Sequence, residues 1–348
     1  MKRSELSNPE LSALSRQLAL VVDSELSLQE GIGLVCAQAK SKTLKSLLKR
    51  VEERLNEGQS LGAAFSQEKG VLPEYYIRMV NVGEQSGNLD KVLVRLADSY
   101  DKSTEISNKV VSAVTYPVIL AVLMLCVIVL LLAEVLPMFD EVLSSLGGEM
   151  PGITQALMAV GAFIGAYFYI IIAAAAAFAA VWTIMRRSAR GAELLDAFKL
   201  KLPVAKGIIK GTACVRFSRS LAMLLRSGIG VAESLRMTGL TMINLKIRSL
   251  VLKAADGVEK GDTLKSALSS LRFFPELLLR ILAVAESTGH TDDMLDKAAD
   301  VMEEDLDKKL GRLTTVLEPA LILTLSIIIG IVLVSVILPV ARIMNAVG

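Results

Sequence analysis

The side chains able to do chemistry are few and far apart in this chain. Glu30, Glu84 and Asn88 offer oxygen ligands, and a set of this kind suits a hard cation such as calcium. Each also has a purely local use. Ser27-x-x-Glu30 has the form of a capping box that opens a helix, and Gly83 to Asn88 reads as a junction between two helices with Asn88 as the cap. His290 is the sole histidine and is expected in a turn, and Cys36, Cys126 and Cys214 form no CxxC pair. A zinc site, a disulfide framework and a histidine-based triad are thereby excluded. The chain has no phosphate-binding P-loop, nucleophile elbow, HExxH or GxGxxG, so the sequence predicts no enzyme. Aromatic residues make up 5% of the chain and the formal net charge is +2, which gives no reason to expect nucleic acid as a partner.

The elements that hold these residues are of two kinds. Hydrophobic residues reach 53% while charged residues stay at 21%, so soluble-like segments must alternate with very apolar ones. No lysine or arginine occurs between Lys109 and Arg186. Within that window, 118–136 is almost unbroken Val, Ile, Leu, Met and Ala, bounded by Pro117 and Pro137. As a helix it would rise ~28 Å, close to the ~30 Å of a hydrocarbon core. A second run covers 156–185, and a third covers 320–338 between Pro319 and Pro339. Three transmembrane helices are expected.

Basic residues orient these spans. Asp140, Glu141 and Glu149 lie in the first connection without a basic residue. Lys102 and Lys109 flank the first span, Arg186, Arg187 and Arg190 follow the second, and Lys308, Lys309 and Arg312 precede the third. The N-terminus is therefore expected in the cytoplasm and the C-terminus outside. The polar start carries no apolar stretch of a cleavable signal. The expected division is 1–112 cytoplasmic, 113–136 span, 137–155 external acidic loop, 156–185 span, 186–318 cytoplasmic, 319–341 span and 342–348 external tail.

The two cytoplasmic parts are copies of one design. At an offset of 203, Ser15-Arg16-Gln17-Leu18-Ala19 meets Ser218-Arg219-Ser220-Leu221-Ala222, Glu30 meets Glu233, and Gly58 meets Gly261. After one residue drops out, Pro73-Glu74 meets Pro275-Glu276, Arg78 meets Arg280, Glu84 meets Glu286, and Pro117 meets Pro319. Each copy reads as helices. Leu44, Leu47, Leu48, Val51 and Leu55 fall on one face, Asn8-Pro9 looks like a helix opening, and Gly58 and Gly261 suit left-handed helix ends. The fold class is all-α: a polytopic membrane protein with three transmembrane helices and two homologous cytoplasmic helical-bundle domains.

Several longer motifs complete the pattern: Val82-Gly83-Glu84-Gln85-Ser86-Gly87-Asn88-Leu89, Leu96-Ala97-Asp98-Ser99-Tyr100, Tyr116-Pro117, Val135-Leu136-Pro137-Met138-Phe139, Met150-Pro151-Gly152-Ile153-Thr154 and Ile337-Leu338-Pro339. With the paired Arg-x-Leu-Ala openings, these resemble the type II secretion system F family over roughly residues 12–340. That family includes the inner-membrane platform proteins of type IV pili and competence pseudopili. Three features depart from it. Larger members carry a segment before the first copy, Glu25 stands where the second copy keeps Gly228, and Ala285-Glu286-Ser287-Thr288-Gly289 is a weaker copy of Gly83 to Gly87.

The resemblance implies a non-enzymatic platform in the bacterial inner membrane. It would couple a separate cytoplasmic assembly ATPase to insertion of pilin or pseudopilin transmembrane segments into a filament, alongside other inner-membrane assembly proteins. It also implies calcium at the glutamate of the Gly-Glu-x-x-Gly motif, here Glu84. The alternative is a membrane subunit of an ATPase-partnered transporter, which would need charged groups or broken helices in the spans. Gly161-x-x-x-Gly165 is a helix-packing pattern, either against the chain's own spans, against pilin helices, or in a homo-oligomer. Pro117 and Pro319 mark domain-to-span junctions, as hinges or as simple changes of helix at the interface.

Overall fold

The computed structural model describes residues 5–24, 26–145 and 152–347. Glu25, Glu149 and the Met150-Pro151 pair lie outside the described residues, as do the side chains of Arg186, Arg187, Arg190 and Arg342. Among the described residues every regular element is helical, and the one strand-like feature is an isolated bridge between Lys69 and Leu72.

The first copy forms α1 (Asn8–Asp23), α2 (Leu28–Gln38), α3 (Lys42–Asn56), α4 (Leu61–Ser66), α5 (Glu74–Gln85) and the start of α6 (Leu89–Leu130). A π-helical turn (Leu131–Val135) leads into α7 (Leu136–Ser145), followed by α8 (Gly152–Ala166), α9 (Phe168–Arg187) and α10 (Ala189–Lys199). The second copy forms α11 (Pro203–Arg226), α12 (Val231–Thr241), α13 (Leu245–Glu259), α14 (Leu264–Ser270), α15 (Glu276–Thr288) and α16 (Thr291–Val347). Helices α12, α13 and α14 each begin 203 residues after α2, α3 and α4, whereas α15 and α16 begin 202 after α5 and α6. The duplication read from residue types is thus a duplication of elements.

Two compact units result: Met1–Lys109 with Asp196–Asp307, and Val110–Leu195 with Lys308–Gly348. In the first unit, apolar residues at helical spacing decide which face turns inward. Leu44, Leu47, Leu48, Val51 and Leu55 of α3 are all buried, while Lys45 and Lys49 between them are exposed. Their core is shared across the repeat. Met223, Leu224 and Met237 of the second copy join Leu18, Phe65, Tyr76, Met79 and Leu96 of the first in one cluster. Each fully buried large apolar side chain contributes about 1.5–3 kcal/mol. The two copies therefore fold as one body rather than as two independent bundles.

Local signals mostly act where the sequence places them. Gly58 and Gly261 both take the left-handed conformation, with φ of 85° and 103°. Ser27 and Glu30 form the expected capping box, the Glu30 carboxylate accepting from the Ser27 N–H at 3.2 Å. The opening of α1 differs by one residue. Ser7, not Asn8, is the cap, because Glu10 three residues on reaches back to the Ser7 N–H at 2.8 Å. Asn8 becomes the first helical residue, and its side-chain amide donates to Ser103 instead.

The second unit holds the apolar stretches. Among the described residues two helices are long and apolar enough to cross a membrane, Leu89–Val142 and Thr291–Val334, each beginning in the first unit and carrying its apolar part in the second. Only 11% and 6% of their most apolar windows are buried. A core helix of a soluble protein would bury most of that surface, so these faces need another apolar surrounding.

The prolines do not end these helices. Pro117 lies inside α6, and Pro319 lies inside α16. Pro137 follows the π-helical turn, and the helix continues past it to Ser145. Proline cannot donate to the carbonyl four residues back and its ring crowds that carbonyl, so the preceding turn widens. The middle apolar run is not one helix over 156–185. It breaks at Tyr167, which leaves the helical region (φ −103°, ψ 11°) and separates α8 from α9. Gly161 and Gly165 lie in the turns before the break, where glycine weakens a helix by ~1 kcal/mol each relative to alanine.

Candidate functional site

Glu84, near the end of α5, faces the start of α4. Its carboxylate accepts hydrogen bonds from Ser60 Oγ (2.7 Å), Leu61 N–H (2.9 Å) and Gly62 N–H (3.0 Å). These are the unpaired donors of a helix N-terminus, for which a carboxylate is the natural partner. Gly62 is required by this approach, since a Cβ there would lie 2.2 Å from Asn81 Oδ1 and 2.8 Å from Glu84 Oε2. Glu30 binds its own cap, and hydrogen bonding to Ser27 holds its carboxyl below the usual range. Asn88 precedes α6, and its amide donates to the Ser86 carbonyl at 2.8 Å.

A cation at Glu84 would have to displace three hydrogen-bond donors. Among the described residues no group of three or more His, Cys, Asp or Glu is placed to hold a metal ion. As arranged, these side chains do not fit a calcium site, since they serve three separate helix ends. Among the described residues the counterpart Glu286 accepts from Lys265 N–H alone, at 3.3 Å. Replacing Glu84 with alanine is therefore expected to cost about 1–3 kcal/mol, and Glu286→Ala less than about 1 kcal/mol. Thermal melts of the two purified variants, followed by helical circular dichroism, check the order.

The seam between the copies is polar at its rim and apolar within. Tyr75 Oη donates to Met223 Sδ at 3.4 Å in the buried part. Arg78 pairs with Glu233 at 3.1 Å, and Arg95 donates to Ser227 Oγ at 3.1 Å. Burial pushes the Tyr75 phenol well above its ordinary range, so it stays a neutral donor at any physiological pH.

Ion pairs repeat with the fold. Arg16 of α1 meets Asp98 (3.4 Å) and Asp101 (2.6 Å) of α6. Its counterpart Arg219 of α11 meets Asp300 (2.9 Å) and Glu303 (2.6 Å) of α16. The second cluster has an addition without a counterpart. Lys109, the last residue of the first unit on α6, reaches Glu303 (3.0 Å) and Asp307 (3.0 Å) on α16, as well as Glu105. Glu303 is nearly buried and bridges α11, α16 and α6. Burial pushes its carboxyl up, but hydrogen bonds from Arg219 and Lys109 outweigh that and hold it below the ordinary value.

Sequence reasoning used Lys109 only as a topology marker and missed Glu303. The signal was present. Glu303 is the repeat partner of Asp101, and an acidic position shared by both copies on a helix approaching an apolar segment invites the question of what it pairs with.

In the second unit, Tyr116 Oη donates to Glu318 Oε1 at 3.1 Å, one residue before Pro117 and Pro319 respectively. The structure thus brings both proline-containing turns together on α6 and α16. Of the glycine pair, Gly161 is closely packed: an added Cβ would sit 2.6 Å from the Leu132 carbonyl oxygen in the π-helical turn. Gly165 has nothing within 4 Å of that position. Within this chain the small-residue contact is made by one glycine and not by both.

Comparison with known proteins places this architecture. The family model described as "Type II secretion system (T2SS), protein F" matches residues 14–137 and again 217–339, one match per copy. The chain is 34% identical over 339 residues to the type IV pilus assembly protein PilC of Thermus thermophilus, covering 97% of this chain and 83% of that one. It is 30% identical over 343 residues to the type II secretion system protein F of Pseudomonas aeruginosa, covering 99% and 85%. The PilC protein of Myxococcus xanthus is 27% identical over 338 residues, covering 97% and 81%. With both copies matched and nearly the whole chain aligned, the protein belongs to the type II secretion system protein F family.

Proposed function

We propose that this protein is a non-enzymatic platform in the bacterial inner membrane, which couples a cytoplasmic assembly ATPase to the insertion of pilin-like subunits into a filament. The observation that carries this reading is that α6 and α16 each join a charged, repeat-derived segment to a largely exposed apolar one in a single helix. A displacement imposed on the charged part of such a helix reaches the apolar part without a flexible linker between them.

In this reading the two copies lie in the cytoplasm and receive the motion of the ATPase. The apolar helices, with α8 and α9 as a third and broken crossing, lie in the membrane and handle pilin transmembrane segments. The N-terminus is cytoplasmic and the C-terminus external, which the absence of basic residues from 137–155 supports. The exposed apolar faces suit both pilin helices and a second copy of the chain.

Deletion of the gene is expected to abolish surface filaments or secretion while leaving pilin synthesis and membrane insertion intact. Counting filaments by electron microscopy and quantifying pilin by immunoblot separates the two. Normal filaments in the deletion strain would refute the platform role.

A further inference from the structure

A cavity of about 150 Å³ lies within the first unit, at the seam between the two copies. Lys102, Arg216 and Arg219 line it, together with Asn8, Ser99, Tyr100, Ser103 and Thr241, and no carboxylate does. Two of the three cations are balanced from outside the cavity: Lys102 by Glu105, and Arg219 by Asp300 and Glu303. Arg216 is not. Its guanidinium donates to Ser103 Oγ (3.0 Å) and the Thr241 carbonyl (3.3 Å), and it has no acidic partner among the described residues. Its other N–H groups have no protein acceptor among the described residues. Arg219 Nε is likewise buried without a hydrogen-bond partner among the described residues.

A largely buried cation with only neutral acceptors costs several kcal/mol, and proteins offset such a charge with an opposite one. Desolvation lowers the Arg216 pKa, as expected of a cation whose counter-charge is absent, yet an arginine stays protonated. The repeat does not impose this residue. The position equivalent to Arg216 in the first copy is Ala13, and the position equivalent to Ser103 in the second copy is Asp305. The cationic cavity is built once, by departure from the duplication.

We propose that this cavity is a binding site for a small phosphate-bearing anion, held by Arg216, with Arg219, Lys102 and the surrounding hydroxyls completing its shell. Guanidinium forks match phosphate oxygens bidentately, and hydroxyl donors supply the remaining contacts. The volume admits a phosphate with a small attached group. It is below the ~300–1,000 Å³ of sites for drug-sized ligands and leaves no room for acyl chains, so the ligand is a free molecule and not a lipid headgroup. Bound there, it would touch α1, α6, α11 and α12 and so tie the two copies together.

The test is calorimetric titration of the full-length protein in detergent with inorganic phosphate, at constant ionic strength, with glycerol 3-phosphate and acetate alongside. Saturable binding of both phosphates, at least about tenfold tighter than acetate, is expected. Arg216→Gln should weaken phosphate binding by about tenfold or more, and Arg216→Lys by less. Ser103→Asp places a carboxylate against Arg216, so it should abolish phosphate binding while raising the melting temperature of the ligand-free protein. That second variant separates loss of the site from loss of the fold. Absence of saturable phosphate binding, equal binding of acetate, or unchanged binding in Arg216→Gln with its helical signal intact would each overturn the proposal.

Discussion

Glu68→Ala is expected to destabilise the protein by about 3–5 kcal/mol, the range for removing one partner of a buried ion pair. The Glu68 side chain is fully buried beneath α3 and α4, and two arginines close over it. Arg50 donates through Nε to Oε1 (2.9 Å) and through Nη2 to Oε2 (2.6 Å), while Arg54 Nη1 donates to Oε1 (2.8 Å) and to the Ala64 carbonyl (3.1 Å). Alanine would leave two partly buried guanidinium groups facing a void. For a unit of this size each kcal/mol corresponds to about 2–4 °C, so a fall of roughly 6–20 °C in Tm is expected. Glu68→Gln, which keeps the shape but not the charge, should fall between the two. A shift below about 2 °C for alanine would show that the triad carries no net stability.

The same residue sets an acid dependence whose sign is definite. Burial pushes the Glu68 carboxyl up, but the hydrogen bonds and charges of Arg50 and Arg54 outweigh it, so its folded pKa lies below the ordinary 4.5. A lowered carboxylate contributes stability that is fully present above the unfolded value and is lost as pH falls through the folded one. Glu303 and Glu10 act in the same direction. Wild-type Tm should therefore hold above about pH 5 and fall steeply below pH 4.5. Glu68→Gln should show a shallower fall over the same interval.

The triad also shows what could be read from the sequence and what could not. Spacing and cap residues belong to one helix at a time, so Leu44 to Leu55, the Ser27 box and the paired glycines at 58 and 261 were legible, and the repeat was legible because both copies carry the same marks. Glu68 was not, because it lies 14 and 18 residues from its two partners and the second copy keeps only one of the three charges: Lys253 stands for Arg50, but Gly257 for Arg54 and Leu271 or Ser270 for Glu68. The departures from symmetry, here and at Arg216, are where residues meet across elements, and no periodicity announces them. Glu84 gives the complementary lesson. Its oxygens were visible as ligands, but the competing donors, the N–H groups that open α4, are backbone atoms with no letter in the sequence. The break at Tyr167 was hidden for a different reason: hydropathy measures how apolar a run is and not whether it is a single helix.

Glu303→Lys is the change expected to act most strongly on function. It would set a third cation against Arg219 and Lys109, where one nearly buried carboxylate now joins both, and leave Asp296, Asp300 and Asp307 to balance them from α16. A loss of about 3–5 kcal/mol is expected from the broken pair. The milder pair Lys109→Met and Glu303→Gln resolves the contact from the fold. Their double-mutant cycle should give a coupling energy of about 0.5–3 kcal/mol, while Arg16→Met, at the exposed equivalent cluster, should cost under about 1 kcal/mol. If α6 and α16 must move together for the platform to work, Lys109→Met should reduce filament number severalfold at normal protein level and a Tm lowered by only a few degrees. Arg16→Met should leave filaments unchanged. Lys109 is the contact that the duplication does not supply: its equivalent in the second copy is Gly311, so it joins the two copies rather than repeating a bond within each. A variant with wild-type filament counts and no measurable coupling to Glu303 would show that the two helices act independently where they leave the first unit.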